Sequence, residues 1–440
     1  MDKYNVGILG ATGAVGREML KILRERSFPA DELRLLASKR SAGQVIDGHE
    51  VKEACTENFK GLDIVLGAAG NNIAAAFAGD IKAAGAVFID NSSAFRLCPD
   101  VPLVVPEINP EDVKKHSGII ANPNCTTTIT CTAISALRRL SPIESMVVSS
   151  YQAVSGAGSA GPQELFGEME AMAAGKSYVP RVFAHQIAYN VIPQIGERQF
   201  VGYTSEEMKL QNEGRRILHL PEMRVSCTCV RVPVVRSHSV SVQLKTREKL
   251  TVDDARAAVA AAPGCKLLDE LDDLLYPMPL LSTDQDLVLV GRIREDLTDD
   301  RGLLLWCCGD QLRKGAATNA VQIAELLIGC GVEALAHLDE LRDAVTVTAR
   351  EYLTEATRQM QYLTGTIPLI ASNIVERNRA HLQRIVHTVP LTAQSRITGG
   401  SERLRFFVQQ MQQASAQAMV RERLRLTAIY DKVQILSPQN

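Results

Sequence analysis

The residues best suited to chemistry centre on a thiol, Cys125, in the run Asn122-Pro123-Asn124-Cys125-Thr126-Thr127-Thr128. A Pro/Asn turn here leads into an apolar stretch, Ile129 to Leu140, with the length of a helix. A cysteine at such an entry feels the positive end of the helix dipole and unpaired backbone N–H groups, both of which favour the nucleophilic thiolate. Alone, the run would equally suit a buried cysteine opening a core helix. Its company argues for chemistry. Five further polar segments follow the same chain: Ser92-Ser93-Ala94-Phe95-Arg96, Ser149 to Gly158, His185 to Gln194, Glu206-Glu207-Met208-Lys209 and Arg231-Val232-Pro233-Val234-Val235-Arg236-Ser237-His238. Between them they supply amides, cations for anionic substrates, and an imidazole whose unperturbed pKa is close to working pH. The odd spacing of Arg231 and His238 would put them on opposite faces of a flat strand. Pro233 argues against such a strand, and a loop can bring both into one cleft.

A second constellation lies at the N-terminus. Val6-Gly7-Ile8-Leu9 feeds Gly10-Ala11-Thr12-Gly13-Ala14-Val15-Gly16, which opens a helical pattern. Glycines let backbone approach a pyrophosphate, and the helix N-terminus adds N–H donors, so Gly10, Thr12, Gly13, Ala14 and Val15 are candidate dinucleotide contacts. An NAD site usually ends its second strand with an acid for the ribose hydroxyl. Here Leu35-Leu36-Ala37 runs into Ser38-Lys39-Arg40-Ser41. Two cations and two hydroxyls suit a 2′-phosphate, so Ser38, Arg40 and Ser41 point to NADP.

The elements that must position these groups follow from length and pattern. A chain of 440 residues exceeds what one core usually supports, so two or three domains are expected. A formal net charge of −2 exerts no global pull toward nucleic acid or membrane. No signal pattern precedes the first strand, and no uncharged stretch is long enough to cross a bilayer. The ten cysteines lack metal-type spacing, which suits a reduced, cytoplasmic protein with mostly inert thiols and no metal.

The first third alternates short aliphatic strands (Val6–Leu9, Leu33–Ala37, Ile64–Ala68, Val87–Ile89) with helices (Gly16–Arg26, Ile73–Ala84), a rhythm that predicts a doubly wound parallel sheet. From about Met146 the strands lengthen and alternate (Met146–Ala153, Arg224–Arg231, Ser239–Lys245), predicting a second domain with a largely antiparallel sheet, open to a cofactor on one face. Leu312–Cys330 reads as a helix returning to the first domain. The expected division is a Rossmann domain over 1–126, completed by a helix over about 312–335, an α+β domain over 127–311, and a helical extension over 336–440.

That extension carries apolar residues at three- and four-residue steps: Leu338, Leu341, Val345, Tyr352, Leu363, Ile367, Ile370 and Ile374, then Met419, Leu426, Ile429, Val433 and Leu436. This predicts a helical hairpin or coiled coil. Its many arginines suit a solvated face, or contact with nucleic acid or a protein partner.

From about residue 3 to 335, these segments in this order resemble aspartate-semialdehyde dehydrogenase. The resemblance implies a Rossmann-type fold with an α+β catalytic and dimerisation domain, an NADP cofactor, and a homodimer. It further implies that Cys125 is the nucleophile, that His238 is a general acid/base, and that Gln152 positions the substrate beside the thiol. Arg231 would pair with a substrate α-carboxylate, a geometry guanidinium serves better than ammonium. Glu206 would meet the substrate amine. Arg96, Asn124 and Lys209 would bind phosphate. Ser155 and Gly156 would form the loop over the nicotinamide, with Gln311, where the family commonly shows Asn, as a further cofactor contact.

The implied reaction is NADPH-dependent reduction of L-aspartyl 4-phosphate to the semialdehyde, with release of inorganic phosphate. One alternative is an N-acetyl-glutamyl-phosphate reductase, which shares the thioester logic; Asn-Pro-Asn-Cys and Tyr-Gln-Ala-Val-Ser-Gly favour the aspartyl enzyme. The other is a nucleic-acid-associated helical module on a silent dehydrogenase, against which the intact Cys/Gln/Arg/His set speaks. The extension, in Leu338-Asp339-Glu340-Leu341, Asn378 to Gln383 and Ile435 to Asn440, resembles the helical part of an exonuclease VII large subunit. The nuclease portion is absent, so no nuclease activity is expected, and a gene fusion or misjoined reading frame would account for it.

Overall fold

The computed structural model describes residues 3–329 and, beyond them, 345–346, 348–361, 372, 375–379 and 393–436. The chain divides into two units at Glu333/Ala334.

The first sheet of the larger unit has seven strands: β1 (Tyr4–Leu9), β2 (Ala30–Ala37), β3 (Val45–Ile46), β4 (His49–Glu53), β5 (Ile64–Gly67), β6 (Val87–Asp90) and β7 (Ile119–Ala121). Their order is β3-β4-β2-β1-β5-β6-β7, all parallel except the short β3. The central strands are apolar on both faces, as helices on both sides require. Val6, Ile8, Leu35, Ile64 and Leu66 join one core, and Leu9, Leu36, Val65 and Phe88 the other. Helix α1 (Ala14–Glu25) covers the first face through Met19, Ile22 and Leu23, and α2 (Asn71–Ala83) the second through Ala74, Ala78 and Ile81.

Helix α3 (Cys125–Leu140) leads from β7 into a second sheet and is buried at every residue from Thr126 to Leu137. Two of its threonine hydroxyls return to the backbone, which eases this burial: Thr128 Oγ1 donates to Asn124 O (3.0 Å) and Thr130 Oγ1 to Thr126 O (2.7 Å). The helix starts at Cys125 itself, one turn before the apolar run.

The second sheet contains β8 (Ile143–Gln152), β9 (Arg224–Arg231), β10 (His238–Thr246), β11 (Cys265–Leu267), β12 (Val288–Glu295) and β13 (Gly302–Gly309), in the order β11-β12-β13-β10-β8-β9. It is more mixed than expected. The pairs β12/β13, β13/β10 and β10/β8 are antiparallel, but β8/β9 and β11/β12 are parallel. The segment between β8 and β9 carries α4 (Ala160–Ala173) and α5 (Ser205–Ile217), and a crossover of that length permits a parallel return. Helices α6 (Val252–Ala260) and α7 (Pro279–Ser282) connect the remaining strands.

The return to the first sheet is not one continuous α-helix. A π-helical turn, Arg313–Ala317, precedes α8 (Thr318–Leu327). Ala320, Val321, Ile323 and Ala324 then enter the α1-side core of the first sheet, as the sequence predicts. Cys330 lies outside the described residues.

In the second unit, residues 348–361 are helical and a 44-residue helix, α9, spans Ala393–Leu436. This is the helical character expected of the extension. Leu338, Leu341, Leu363, Ile367, Ile370 and Ile374 lie outside the described residues. Arg403, Arg405, Arg421 and Arg423 are exposed. Among the described residues, no helix is long and apolar enough to cross a membrane.

Candidate active site

Cys125 occupies the first position of α3, with Asn124 as the N-cap. The Asn124 Oδ1 accepts the Thr127 N–H (3.1 Å), and its Nδ2 donates to Glu206 Oε1 (2.9 Å). The thiol is backed by the π-turn: a Cβ added to Gly315 would stand 2.9 Å from Cys125 Cβ, so the turn can lie this close only with glycine there. Burial works against the helix end at this thiol. It pushes the pKa up to about 11, and the Glu206 carboxylate adds to this against the charges of Lys209 and Arg96. The residue still keeps a part-exposed surface. Loss of hydration thus opposes the thiolate that the helix end favours.

Helix α5 supplies the next layer. Its start is fixed by a capping box in which Thr204 N–H donates to Glu207 Oε2 (2.7 Å) and Glu207 N–H to Thr204 Oγ1 (3.4 Å). Glu206 is buried and accepts from Lys209 Nζ (2.8 Å), Asn124 Nδ2 and Gln152 Nε2 (3.3 Å). Burial alone would raise its carboxyl, but the Lys209 charge and these three donors hold it below the usual carboxylate range. Arg96 is buried, its Nε donating to Asn122 O (2.9 Å) and its Nη2 to Asn91 O (2.7 Å). These contacts bring Asn124, Gln152, Glu206, Lys209 and Arg96 around the thiol.

Arg231 ends β9 and His238 begins β10, and the loop between them returns both to one place. A Cβ on Gly156 would meet Arg231 Nη1 at 2.7 Å and His238 Cε1 at 3.1 Å, so the Ser155–Gly156 turn lies over the pair. Arg231 Nη1 donates to Ala153 O (2.8 Å), and its guanidinium lies 5.8 Å from the Phe183 ring centroid. His238 Nδ1 accepts the Ala153 N–H (3.1 Å), while Nε2 is buried and has no partner among the described residues. Its pKa does not stay near the ordinary value. Burial drives it down to about 3, with the Arg231 charge assisting and Glu206 opposing. Gln311 lies beneath this roof, its Oε1 accepting from Ser237 N–H (2.7 Å) and its Nε2 donating to Ser155 Oγ.

The nucleotide residues sit at the carboxyl end of β1. Gly10 has φ +89°, a region that favours glycine, and a Cβ on Gly16 would stand 2.4 Å from Gly10 O. Gly13 is the N-cap of α1 and offers no side-chain cap, so the first-turn N–H groups have no side-chain acceptor. A pyrophosphate fits that arrangement. Ser38, Lys39 and Arg40 are exposed and Ser41 partly so, with no carboxylate from Ser38 to Ile46, which fits a 2′-phosphate.

Three groups escaped sequence reasoning. Glu213 is buried behind Arg96 and Asn124; its spacing from Glu206 and Lys209 on one helix was the available signal. Asn122 donates to Asn91 Oδ1 (2.6 Å) and Ala316 O (3.1 Å), joining the Arg96 segment to the π-turn. Lys314 is fully buried, paired with Glu107 and donating to Asn319 Oδ1 (2.9 Å) and Gln322 Oε1 (2.8 Å).

Comparison with known proteins points to one family. Residues 5–116 match the family described as semialdehyde dehydrogenase, NAD binding domain, and residues 134–314 match the semialdehyde dehydrogenase, dimerisation domain. An aspartate-semialdehyde dehydrogenase of Synechocystis sp. is 48% identical over 330 residues, covering 74% of this chain and 98% of that protein. The Bacillus subtilis protein of the same name is 45% identical, covering 73% and 97%. The crystal structure of aspartate semialdehyde dehydrogenase II from Vibrio cholerae, also solved complexed with ASA, has a TM-score of 0.72 and 42% identity, covering 74% of this chain and 99% of that one. A Candida albicans relative solved with NADP has a TM-score of 0.58 and 25% identity, covering 74% and 98%. The likeness of the extension to exonuclease VII finds no support in these matches, and its Leu338–Leu341 and Ser437–Asn440 segments lie outside the described residues.

Proposed function

Because the chain belongs to the aspartate-semialdehyde dehydrogenase family, we propose that it reduces L-aspartyl 4-phosphate with NADPH to L-aspartate 4-semialdehyde, releasing inorganic phosphate. The observation that carries the reading is the convergence on Cys125 of Asn124, Gln152, Glu206 and Lys209, with Arg231 and His238 paired under one turn. The N-acetyl-glutamyl-phosphate and silent-dehydrogenase readings are not favoured by relatives this similar over nearly their whole length.

In this reading Arg231 binds the substrate α-carboxylate and Glu206 its amine. Arg96, Lys209 and Asn124 hold the phosphoryl group. Cys125 Sγ attacks the acyl carbon, a C–S bond replaces the C–O bond, and the thiol proton leaves with the departing phosphate. No separate base is then needed to form the thioester. Bound NADPH supplies the hydride. His238, expected as a general acid/base, is neutral and carries its proton on Nε2, and in this reading it serves by donating a hydrogen bond to the oxyanion that develops on the substrate oxygen. Collapse of that oxyanion releases the aldehyde and returns the sulfur as thiolate, which takes a proton from solvent.

Gly10, Thr12, Gly13, Ala14 and Val15 would hold the pyrophosphate, Ser38, Arg40 and Ser41 the 2′-phosphate, and Ser155, Gly156 and Gln311 the nicotinamide side. A homodimer is proposed through the outer face of the second sheet, where Val147 is 55% and Tyr151 37% exposed, an apolar surface that a second copy would cover. The division into domains over 1–126, 127–311 and 336–440 is kept as part of this reading.

The decisive assay is phosphate-dependent NADP reduction by aspartate semialdehyde, run in the reverse direction with the full chain and with a truncation after about residue 336. Turnover by both supports the reading. No reduction by the full chain, or the same rate with N-acetyl-glutamate semialdehyde, sinks it.

A further inference from the structure

We infer that Glu213 is a positioning residue that ties the phosphate-binding guanidinium of Arg96 to the helix turn presenting Cys125. The inference rests on the function proposed above and assigns the residue that holds its anion site in register with its nucleophile.

Glu213 is 2% exposed and buries both carboxylate oxygens in this one task. Its Oε1 accepts from Arg96 Nη1 (3.2 Å), and its Oε2 accepts the backbone N–H of Asn124 (2.7 Å). The Asn124 side chain is already engaged by Thr127 and Glu206, so this N–H is met by Glu213. Arg96 is held on three edges, by Glu213, Asn122 O and Asn91 O. Of its five N–H donors, two remain for an anion, in a direction the three fixed bonds dictate. Without Glu213 the guanidinium would lose its one charged restraint, and the turn before the nucleophile would bury an unpaired donor.

The rest of α5 supports this placement. Arg216, three residues beyond Glu213, donates through Nη1 to Arg96 O and through Nη2 to Val101 O (2.8 Å). Glu206, Lys209, Glu213 and Arg216 fall at helical steps on one face, and each reaches the Arg96, Asn124 or Cys125 shell. One helix thus clamps the Arg96 segment by both backbone and side chain. Glu213 acts through Arg96 and Asn124 and is not itself a contact for the reacting atoms.

The test uses the full chain with Glu213→Gln. The Gln oxygen can still accept the Asn124 N–H, but its amide N–H2 faces Arg96 and cannot replace the charged bond. The KM for phosphate is expected to rise about tenfold, while the KM values for semialdehyde and NADP move less than about twofold. In an Arg96→Ala background the same substitution should add little, because the two groups act as a pair. A phosphate KM unchanged in Glu213→Gln overturns the inference. So does an equal rise in all three KM values, or an undiminished effect in the Arg96→Ala background. Should the amide variant not fold, Glu213→Asp, one methylene shorter, is expected to show the same phosphate-selective rise, and its absence there is equally fatal. Failure of the unmodified chain to reduce NADP with phosphate and semialdehyde would instead remove the functional reading on which this rests.

Discussion

The backbone N–H of Ala153 donates to Nδ1 of His238 at 3.1 Å, and that single bond decides which ring nitrogen carries the proton. With Nδ1 accepting, the neutral imidazole must be protonated on Nε2, the atom left buried without a partner. A second proton would need Nδ1 to stop accepting from an amide that can only donate. Together with burial and the neighbouring Arg231, this keeps the ring neutral.

The pH dependence follows in sign. With its pKa lowered to about 3, His238 stays neutral across the usual working range, so the rate should show no acid limb near the ordinary histidine value. The unfolded chain would protonate this residue near the ordinary value while the folded one would not. Its contribution to stability is therefore complete above that value and is lost as pH falls toward 3. Chemical denaturation across pH 7 to 4, for the parent and for His238→Asn, should show a steeper loss in the parent. His238→Asn should also lower kcat by about 10²-fold, the scale of one oxyanion donor. An acid limb near pH 6.5 that the substitution abolishes would restore a proton-transfer role.

Cys125 should behave as a protonated thiol in the ligand-free protein. Alkylation by iodoacetamide should climb with pH toward about 11 rather than level off near neutrality. Cys125→Ala is expected to abolish turnover and leave NADPH binding, read by fluorescence, intact. An alkylation plateau below pH 8 would show that the helix terminus prevails over burial after all.

Arg231 makes a bond to Ala153 O and lies against Phe183, which leaves the rest of its fork for a carboxylate. Arg231→Lys keeps the charge and loses the fork. The KM for the semialdehyde should rise about 10- to 100-fold, with the phosphate KM unaffected. A loss shared equally by both substrates would argue against separate subsites.

Arg40 lies exposed in the turn after β2. Arg40→Ala should weaken NADP binding by about tenfold and leave NAD binding unchanged, since only the former carries a 2′-phosphate. Equal losses for both cofactors would remove the basis for the NADP assignment.

Lys314 and Glu107 form a fully buried ion pair in the π-turn region behind the thiol. Burial opposes ionisation of Glu107, but the Lys314 charge and hydrogen bond hold its carboxyl below the usual range. Lys314→Met would strand that carboxylate and should cost about 3–5 kcal/mol of stability, read as a lowered Tm, whereas replacing both partners with apolar residues should cost less.

Much of this protein is legible along the chain because its signals are local. The Gly10–Gly16 turn between an apolar strand and a helix, the strand rhythm of the first third, and the return of the last helix to the first sheet all follow from spacing alone. So did the expectation that Pro233 would break a strand and let Arg231 and His238 share a cleft. The parallel β8/β9 pairing was not legible, because the register of strands separated by two helices depends on which edge is free when they dock. Glu213 and Lys314 read as ordinary charged residues until α5 and the π-turn are folded against α3.

Sequence by itself determined which nucleophilic, cationic and amide side chains this protein has and the α/β elements that bear them, since residue type and period are written residue by residue. Only the tertiary structure decided their states. Packing strips water from His238 and part of it from Cys125, aims the Ala153 amide at Nδ1 and sets Glu213 between Arg96 and Asn124, and desolvation and hydrogen-bond direction depend on neighbours far away in the chain.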